Sequence, residues 1–235
     1  MTFLDRIGLF GPLDFGALGL LLTALIAVGL LIENPPSSRP SVSALMADVR
    51  REWMHQMTLR EARIFDAQML STLRQGTGFF ASASLITIGG VLAALGNTEQ
   101  LIGVAEDFTL DAAPAIVWEA KLLVTLLLLT NAFLKLVWSH RLFGYCSALM
   151  GAVPNDPKDP LTKRRSSQAA EINITAARGF NRGLRALYFS LASTAWLLSA
   201  EALIIATLVT VAILARREFA SRSRLVLLEG IGTEK

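Results

Sequence analysis

Four long apolar stretches with almost no charge constrain this chain more than any other feature. They occupy residues 14–32, 78–95, 115–138 and 186–214. A helix needs ~20 consecutive apolar residues to cross the hydrocarbon core of a bilayer. Every backbone N–H and C=O in that core must be bonded within the protein, so such segments cross it as helices. The sequence therefore predicts an all-α polytopic membrane protein, with four transmembrane helices and amphipathic cytoplasmic helices in one membrane domain over residues 1–235.

The overall composition agrees with this prediction. Apolar residues make up 53% of the chain and charged residues 17%, whereas soluble domains carry ~25% charged residues. The formal net charge of +3 fits the basic bias of cytoplasmic loops in membrane proteins. Nucleic-acid binding is the alternative for a basic chain, but no recognised binding motif accompanies the arginines. We expect no nucleic acid among the partners.

Two of the stretches allow a second interpretation. The first, residues 14–32, resembles a signal peptide in position, but it is longer than the usual h-region of 7–15 residues. The fourth, residues 186–214, has 29 residues and is too short for two full spans. Because tilting accommodates excess hydrophobic length, we interpret it as one tilted or extended helix.

The basic residues of the loops predict an orientation. The loop 33–77 carries six Lys or Arg residues and the loop 139–185 carries eight, whereas the loop 96–114 carries none. Cytoplasmic loops are the ones enriched in Lys and Arg, so the first and third loops are placed in the cytoplasm and both termini outside. The tail opposes this placement, because it adds five basic residues to the outer side: Arg216, Arg217, Arg222, Arg224 and Lys235.

The first and third loops also contain helical patterns. Prolines at the start of the first loop stop the first helix, and Ser41 or Ser43 can cap a new one. Apolar residues then recur at three and four over 42–73, which predicts one or two cytoplasmic helices. These helices lie on the membrane, on a partner or against the chain's own loops. In the third loop, the third helix continues through RLFGYCSALMGAV, VPNDPKDP breaks it, and 161–183 is again compatible with helix.

Glu201 is the charged residue whose predicted depth is most costly. It lies close to the middle of the fourth stretch, where a carboxylate costs roughly 2.5–3.5 kcal/mol on insertion scales. We therefore name it as a candidate intramembrane polar site, with Asn131 and Lys135 as candidate partners on the third helix. An ion or proton pathway is one interpretation, and a protonated structural carboxyl or a shallower position is the other.

A second candidate site is basic. Arg178, Arg182 and Arg185 lie in a stretch with aromatic residues at a cytoplasmic interface. Anionic lipid headgroups attract such segments by about 1 kcal/mol per basic residue, so lipid headgroups or another anionic ligand are the expected contact. The expected partners are thus the lipid bilayer and either further copies of the chain or a partner membrane protein.

The sequence offers little for catalysis. His140 and Cys146 are six residues apart and face different sides of a helix, and His55 is the one other histidine. Such an arrangement does not suit a nucleophile pair or a metal site. We predict no enzyme, no catalytic residues, no metal and no cofactor. A structural or accessory membrane role is the first hypothesis, and an ion or small-solute channel or transporter that uses Glu201 is the alternative.

Several stretches together resemble a known family. They are NPPSSRPSVSALM, RIFDAQMLSTLRQGTGFFASASLITIGG, LVWSHRLFGYCSALMGAVP, RGFNRGLRALYFSLA and REFASRSR. The chain is similar to the membrane family catalogued as domain of unknown function 599, over about residues 33–224. The resemblance implies four membrane helices in a bacterial or organellar membrane, which we take as a multi-pass protein of the bacterial inner membrane. It implies no activity and no catalytic residues.

Overall fold

The computed structural model describes residues 8–107 and 114–231, and all regular structure in those ranges is helical. This confirms the all-α prediction for the part of the chain it covers. Lys235, one of the five basic tail residues, lies outside the described residues. The α-helices are α1 Pro12–Glu33, α2 Val42–Thr58, α3 Ile64–Gly96, α4 Thr98–Asp107, α5 Ala115–Gly151, α6 Pro160–Thr194, α7 Ala200–Phe219 and α8 Arg222–Ile231.

Within residues 8–107 and 114–231, three helices are long and apolar enough to cross a membrane, namely α1, α3 and α5. They contain the first three apolar stretches. Two of them extend far beyond the predicted spans, since α3 includes the end of the first loop and α5 continues to Gly151. The predicted continuation of the third helix into the third loop is therefore confirmed, as is the break that follows it before α6 begins at Pro160.

The fourth apolar stretch is not one helix, so its interpretation as a single tilted or extended span is wrong. Helix α6 ends at Thr194, a 3-10 turn covers Ala195–Leu197, and α7 begins at Ala200. The N–H groups of Leu198 and Ser199 both bond to the carbonyl of Ala195, at 3.1 and 3.3 Å. The hydroxyl of Ser199 then accepts the N–H of Ala202 at 3.1 Å, so it caps the next helix.

The chain divides into two compact units. The first unit comprises Met1–Gly29, Ala83–Ala132 and Arg185–Ala215, and the second comprises Leu30–Ser82, Phe133–Leu184 and Arg216–Lys235. In the first unit an apolar core contains the fully buried Leu21, Phe189 and Leu203.

Two polar contacts add to the apolar core of the first unit. The indole N–H of Trp196 donates to Asp14 at 2.6 Å. The hydroxyls of Thr125 and Ser193 lie 2.8 Å apart. Each contact gives a buried hydroxyl or indole N–H the partner that it needs in an apolar core.

The second unit buries the predicted cytoplasmic arm against the chain's own helices. Met54 and Met57 of α2 are fully buried beside Phe143 and Cys146 of α5 and Leu70 of α3. The arm thus consists of α2 and the start of α3, with its apolar face directed to its own unit. Packing against the chain itself was one of the three alternatives that the sequence left open.

A capping residue and a buried carboxylate fix the two ends of α2. The hydroxyl of Ser41 accepts the N–H of Ala44 at 3.1 Å and donates to the carbonyl of Ile32 at 2.7 Å, so Ser41 is the N-cap of α2. Where α2 gives way to α3, the fully buried Asp66 accepts the indole N–H of Trp53 at 2.7 Å and pairs with Arg60. Both contacts are made by one oxygen, Oδ1, while Oδ2 of Asp66 is buried without a hydrogen-bond partner. The join between the two helices is therefore held through a single carboxylate oxygen.

The C-terminal tail contacts the first loop. The side chain of Arg224 in α8 donates to the carbonyl of Pro40 at 2.8 Å, and Glu218 at the end of α7 accepts the backbone N–H of Ser43 at 3.0 Å. Groups joined by a hydrogen bond lie on the same side of any bilayer, because its hydrocarbon core is ~30 Å thick. The expectation that the first loop is cytoplasmic and the tail outside is therefore wrong.

Gly179 sets the close approach of α5 and α6 in the second unit. A Cβ built on it would lie 3.3 Å from the Cβ of Ser139, whose hydroxyl donates to the carbonyl of Ala176 at 2.6 Å. We expect Gly179→Leu to lower the free energy of unfolding by about 1–3 kcal/mol, because the larger side chain forces the helices apart. Thermal unfolding in detergent measures this change.

The matched control is Gly144→Leu on α5. Among the described residues nothing outside its own turn lies within 4 Å of a Cβ built there, and replacing a helical glycine removes a penalty of about 0.5–1 kcal/mol. We expect this variant to unfold at or above the wild-type temperature. Equal losses in the two variants would contradict the close approach at Gly179.

Candidate functional site

Glu201 does not lie in the middle of a helix, so its predicted position is wrong. It belongs to the first turn of α7 and is exposed. Its carboxylate interacts with its own backbone N–H and with Ser199. A negative charge is favourable there, because the first N–H groups of a helix lack partners and the helix dipole is positive at that end. The cap of Ser199 and the charge of Glu201 together account for where α7 begins.

The candidate partners of Glu201 both belong to α5. Asn131 is half-buried on α5 in the first unit, whereas Lys135 belongs to the second unit. The structure joins Glu201 to Ser199 instead of to Asn131. The grouping of Glu201, Asn131 and Lys135 as one polar site therefore stays a prediction.

The three predicted basic residues occupy three different environments. Arg182 donates to both carboxylate oxygens of Glu33, with its Nε at 2.8 and 3.0 Å, and this hydrogen bonding raises the pKa of Arg182. Arg185 is 6% exposed and belongs to the first unit. Arg178 is exposed and lines a cavity in the second unit. Of the three, Arg178 alone lies on the wall of that cavity.

This cavity, which we call the arginine cavity, is the candidate site. It has a volume of about 270 Å³ and lies between α2, α6 and the end of α7. Val42, Met46, Ala47, Ile174 and Ala177 form its apolar wall. Its polar lining consists of Ser43, Arg50, Arg178, Asn181 and Glu218.

Arg50 is the cation at the inner wall of the arginine cavity. Its guanidinium donates to the side-chain oxygen of Asn173. Asn173 is fully buried, and its amide N–H₂ lies 3.6 Å from the sulfur of Cys146. Burial lowers the pKa of Arg50 from its usual value, because desolvation disfavours the charged form. The hydrogen-bond partner of the Arg50 guanidinium is thus a neutral amide, which orients its positive charge but does not neutralise it.

Glu218 lines the same cavity, and both of its carboxylate oxygens accept hydrogen bonds. One carboxylate oxygen accepts the backbone N–H of Ser43 at 3.0 Å, and the other accepts the hydroxyl of Ser43 at 2.9 Å. The amide N–H₂ of Asn181 donates to that same hydroxyl at 3.3 Å. Because Ser43 lies in the first turn of α2, the carboxylate also benefits from the positive end of the helix.

Sequence reasoning missed four of the five polar residues of the arginine cavity. Arg50 had one available signal: it continues the row Val42 and Met46 at intervals of four, so it lies at the edge of the apolar face of α2. Asn181 and Glu218 carry no such signal, because only the fold brings α6 and the end of α7 to α2. In the ranges 8–107 and 114–231 no group of three His, Cys, Asp or Glu side chains could hold a metal ion.

Comparisons with known proteins give one match. No curated protein and no solved structure matches the chain. A family model described as "Protein of unknown function, DUF599" matches residues 16–223. This range includes both compact units in large part and every polar residue of the arginine cavity. The chain therefore belongs to the DUF599 family of proteins of unknown function.

Proposed function

We propose that this protein is an integral membrane protein with a structural or accessory role, which contacts lipid or a partner membrane protein through its basic segments. The observation that carries the proposal is the exposed apolar surface of α1, α3 and α5. In their most apolar windows only 28%, 11% and 39% of the residues are buried within the chain. Large apolar side chains such as Ile26, Ile86 and Leu127 are 63%, 76% and 61% exposed. Lipid is the solvent that suits such a surface.

The fourth apolar stretch enters the membrane as a helical hairpin in this proposal. The end of α6 forms one leg and α7 the other, with the 3-10 turn between them. A hairpin returns the chain to the side from which it came, which agrees with the contact of Arg224 with Pro40. The N-terminus then lies outside and the tail joins the first and third loops in the cytoplasm. A bacterial inner membrane is the expected location.

Membrane extraction tests the proposal. We expect the chain to stay with the membrane pellet after an alkaline carbonate wash and to enter solution only with detergent. A purified chain that is monomeric and soluble without detergent would contradict it.

Glu201→Gln addresses the channel or transporter alternative. Because this carboxylate is exposed at the start of α7, we expect ion and proton flux into proteoliposomes to equal that of the wild type. A loss of flux with unchanged unfolding would favour transport.

A further inference from the structure

We propose that the arginine cavity binds the phosphate group of a small anionic ligand. The site lies within the second unit and involves none of the exposed apolar surface that supports the membrane role. It deepens the proposed function by naming a ligand class, and it rests on that function only where a lipid is the source of the phosphate.

The charged side chains that line the arginine cavity favour binding of an anion. Two guanidinium groups, of Arg50 and Arg178, line it together with the one carboxylate of Glu218. In the described part of the chain neither arginine forms an ion pair, since the recorded pairs involve Arg51, Arg60 and Arg182. A desolvated cation such as Arg50 is costly unless a counter-charge accompanies it. A bound anion would supply that charge.

The carboxylate of Glu218 does not supply this counter-charge to Arg50. Both of its oxygens accept hydrogen bonds from Ser43, at 3.0 and 2.9 Å, which directs the carboxylate to the start of α2 and not to the arginines. The contact keeps the carboxylate in place at the rim while the two guanidinium groups stay available. The cavity thus retains one positive charge in excess.

The donors suit phosphate. A guanidinium presents its N–H groups in a planar fork that matches two oxygens of a phosphate, and here two such forks line one cavity beside the amide of Asn181. The volume of about 270 Å³ lies just below the range of drug-sized ligand pockets, which usually span ~300–1,000 Å³. A phosphate or a phosphate-bearing headgroup is of a size that this volume accommodates.

Titration calorimetry with inorganic phosphate tests the proposal on the full chain in a lipid-free detergent at low salt. We expect the wild type to bind phosphate and Arg178→Gln to bind it about tenfold more weakly, because one charged hydrogen-bond donor is lost. Arg50→Gln should weaken binding at least as much. If Arg50→Gln does not fold, Arg178→Gln carries the test alone, since Arg178 is exposed and its side chain makes no recorded hydrogen bond among the described residues.

Arg164→Gln is the matched control. Arg164 is exposed on the same helix, α6, and does not line the arginine cavity, so this variant removes the same charge and should bind phosphate as the wild type does. Phosphate binding that is absent, or that is equal in all four proteins, would overturn the proposal. Acetate that binds the wild type as tightly as phosphate would overturn the assignment of the ligand class.

Nanodiscs distinguish the two sources of phosphate. The wild type is placed in phosphatidylcholine alone or with added phosphatidylglycerol, and phosphate binding is measured in both. Weaker phosphate binding in the presence of phosphatidylglycerol supports a lipid headgroup as the ligand, and unchanged binding supports a soluble phosphate compound. Failure of the site is separable from failure of the membrane role, because calorimetry in detergent does not depend on the carbonate wash.

Discussion

Replacing Phe143 by alanine should lower the free energy of unfolding by about 3–5 kcal/mol, the range for large-to-small changes at a buried aromatic residue. Phe143 is 2% exposed at the centre of the core of the second unit. Its ring lies in a cluster that joins α2, α3, α5 and α6, so the change leaves a void that affects all four helices. Chemical or thermal unfolding in detergent micelles, followed by circular dichroism, measures the loss.

Leu134→Ala is the control for this prediction. Leu134 lies on the same helix, α5, but is 60% exposed, so its truncation opens no cavity inside the second unit. We expect a change below about 1 kcal/mol, as for most substitutions away from the core. Equal losses for the two variants would show that Phe143 does not occupy the core described here.

The helices are predictable from the sequence because their signals are local. Apolar length defined α1, α3 and α5, and the prolines after Glu33 and Ala152 marked where helices stop. The cap at Ser41 follows from residue type alone. What the pattern could not show is that α3 continues without a break from the arm into the second apolar stretch, since Gly76 and Gly78 are poor helix formers at the point where the two meet.

The break in the fourth stretch could not be predicted with the same rules. It contains neither proline nor glycine: the turn is formed by Ala195, Trp196 and Leu197, which are all compatible with helix. The available signal for the break was a pair of polar residues. Ser199 followed by Glu201 is a helix start, and we interpreted that carboxylate as a buried group at mid-span instead of a charge at an N-terminus.

The arginine cavity shows a different limit. A sequence identifies Arg178 as a basic residue near an interface, but it cannot show that Arg182 is neutralised by Glu33 while Arg178 is not. Neutralisation depends on the fold, because Glu33 and Arg182 come from helices that are distant in sequence. Counting basic residues therefore identified one of the two arginines that line the cavity, and the grouping of Arg178, Arg182 and Arg185 as one lipid or ligand contact stays a prediction.

We expect the largest effect for the orientation of the tail, because a cysteine in the tail is labelled by an impermeant reagent from one side of the membrane and not from the other. In a Cys146→Ser background, which removes the buried native thiol, single cysteines replace the exposed Gly11, Ser38 or Ser223. A membrane-impermeant maleimide should label Ser38→Cys and Ser223→Cys in inside-out vesicles, and Gly11→Cys only in spheroplasts.

The physical reason is the contact of Arg224 with Pro40 at 2.8 Å together with that of Glu218 with Ser43. Hydrogen bonds of this length cannot cross ~30 Å of hydrocarbon, so the tail shares the side of the first loop. This placement also puts Arg216, Arg217, Arg222 and Arg224 with the fourteen basic residues of the two loops, as the distribution of positive charge in membrane proteins requires. Labelling of Ser38→Cys and Ser223→Cys from opposite sides would rule out both the hairpin and the docking of the tail on α2.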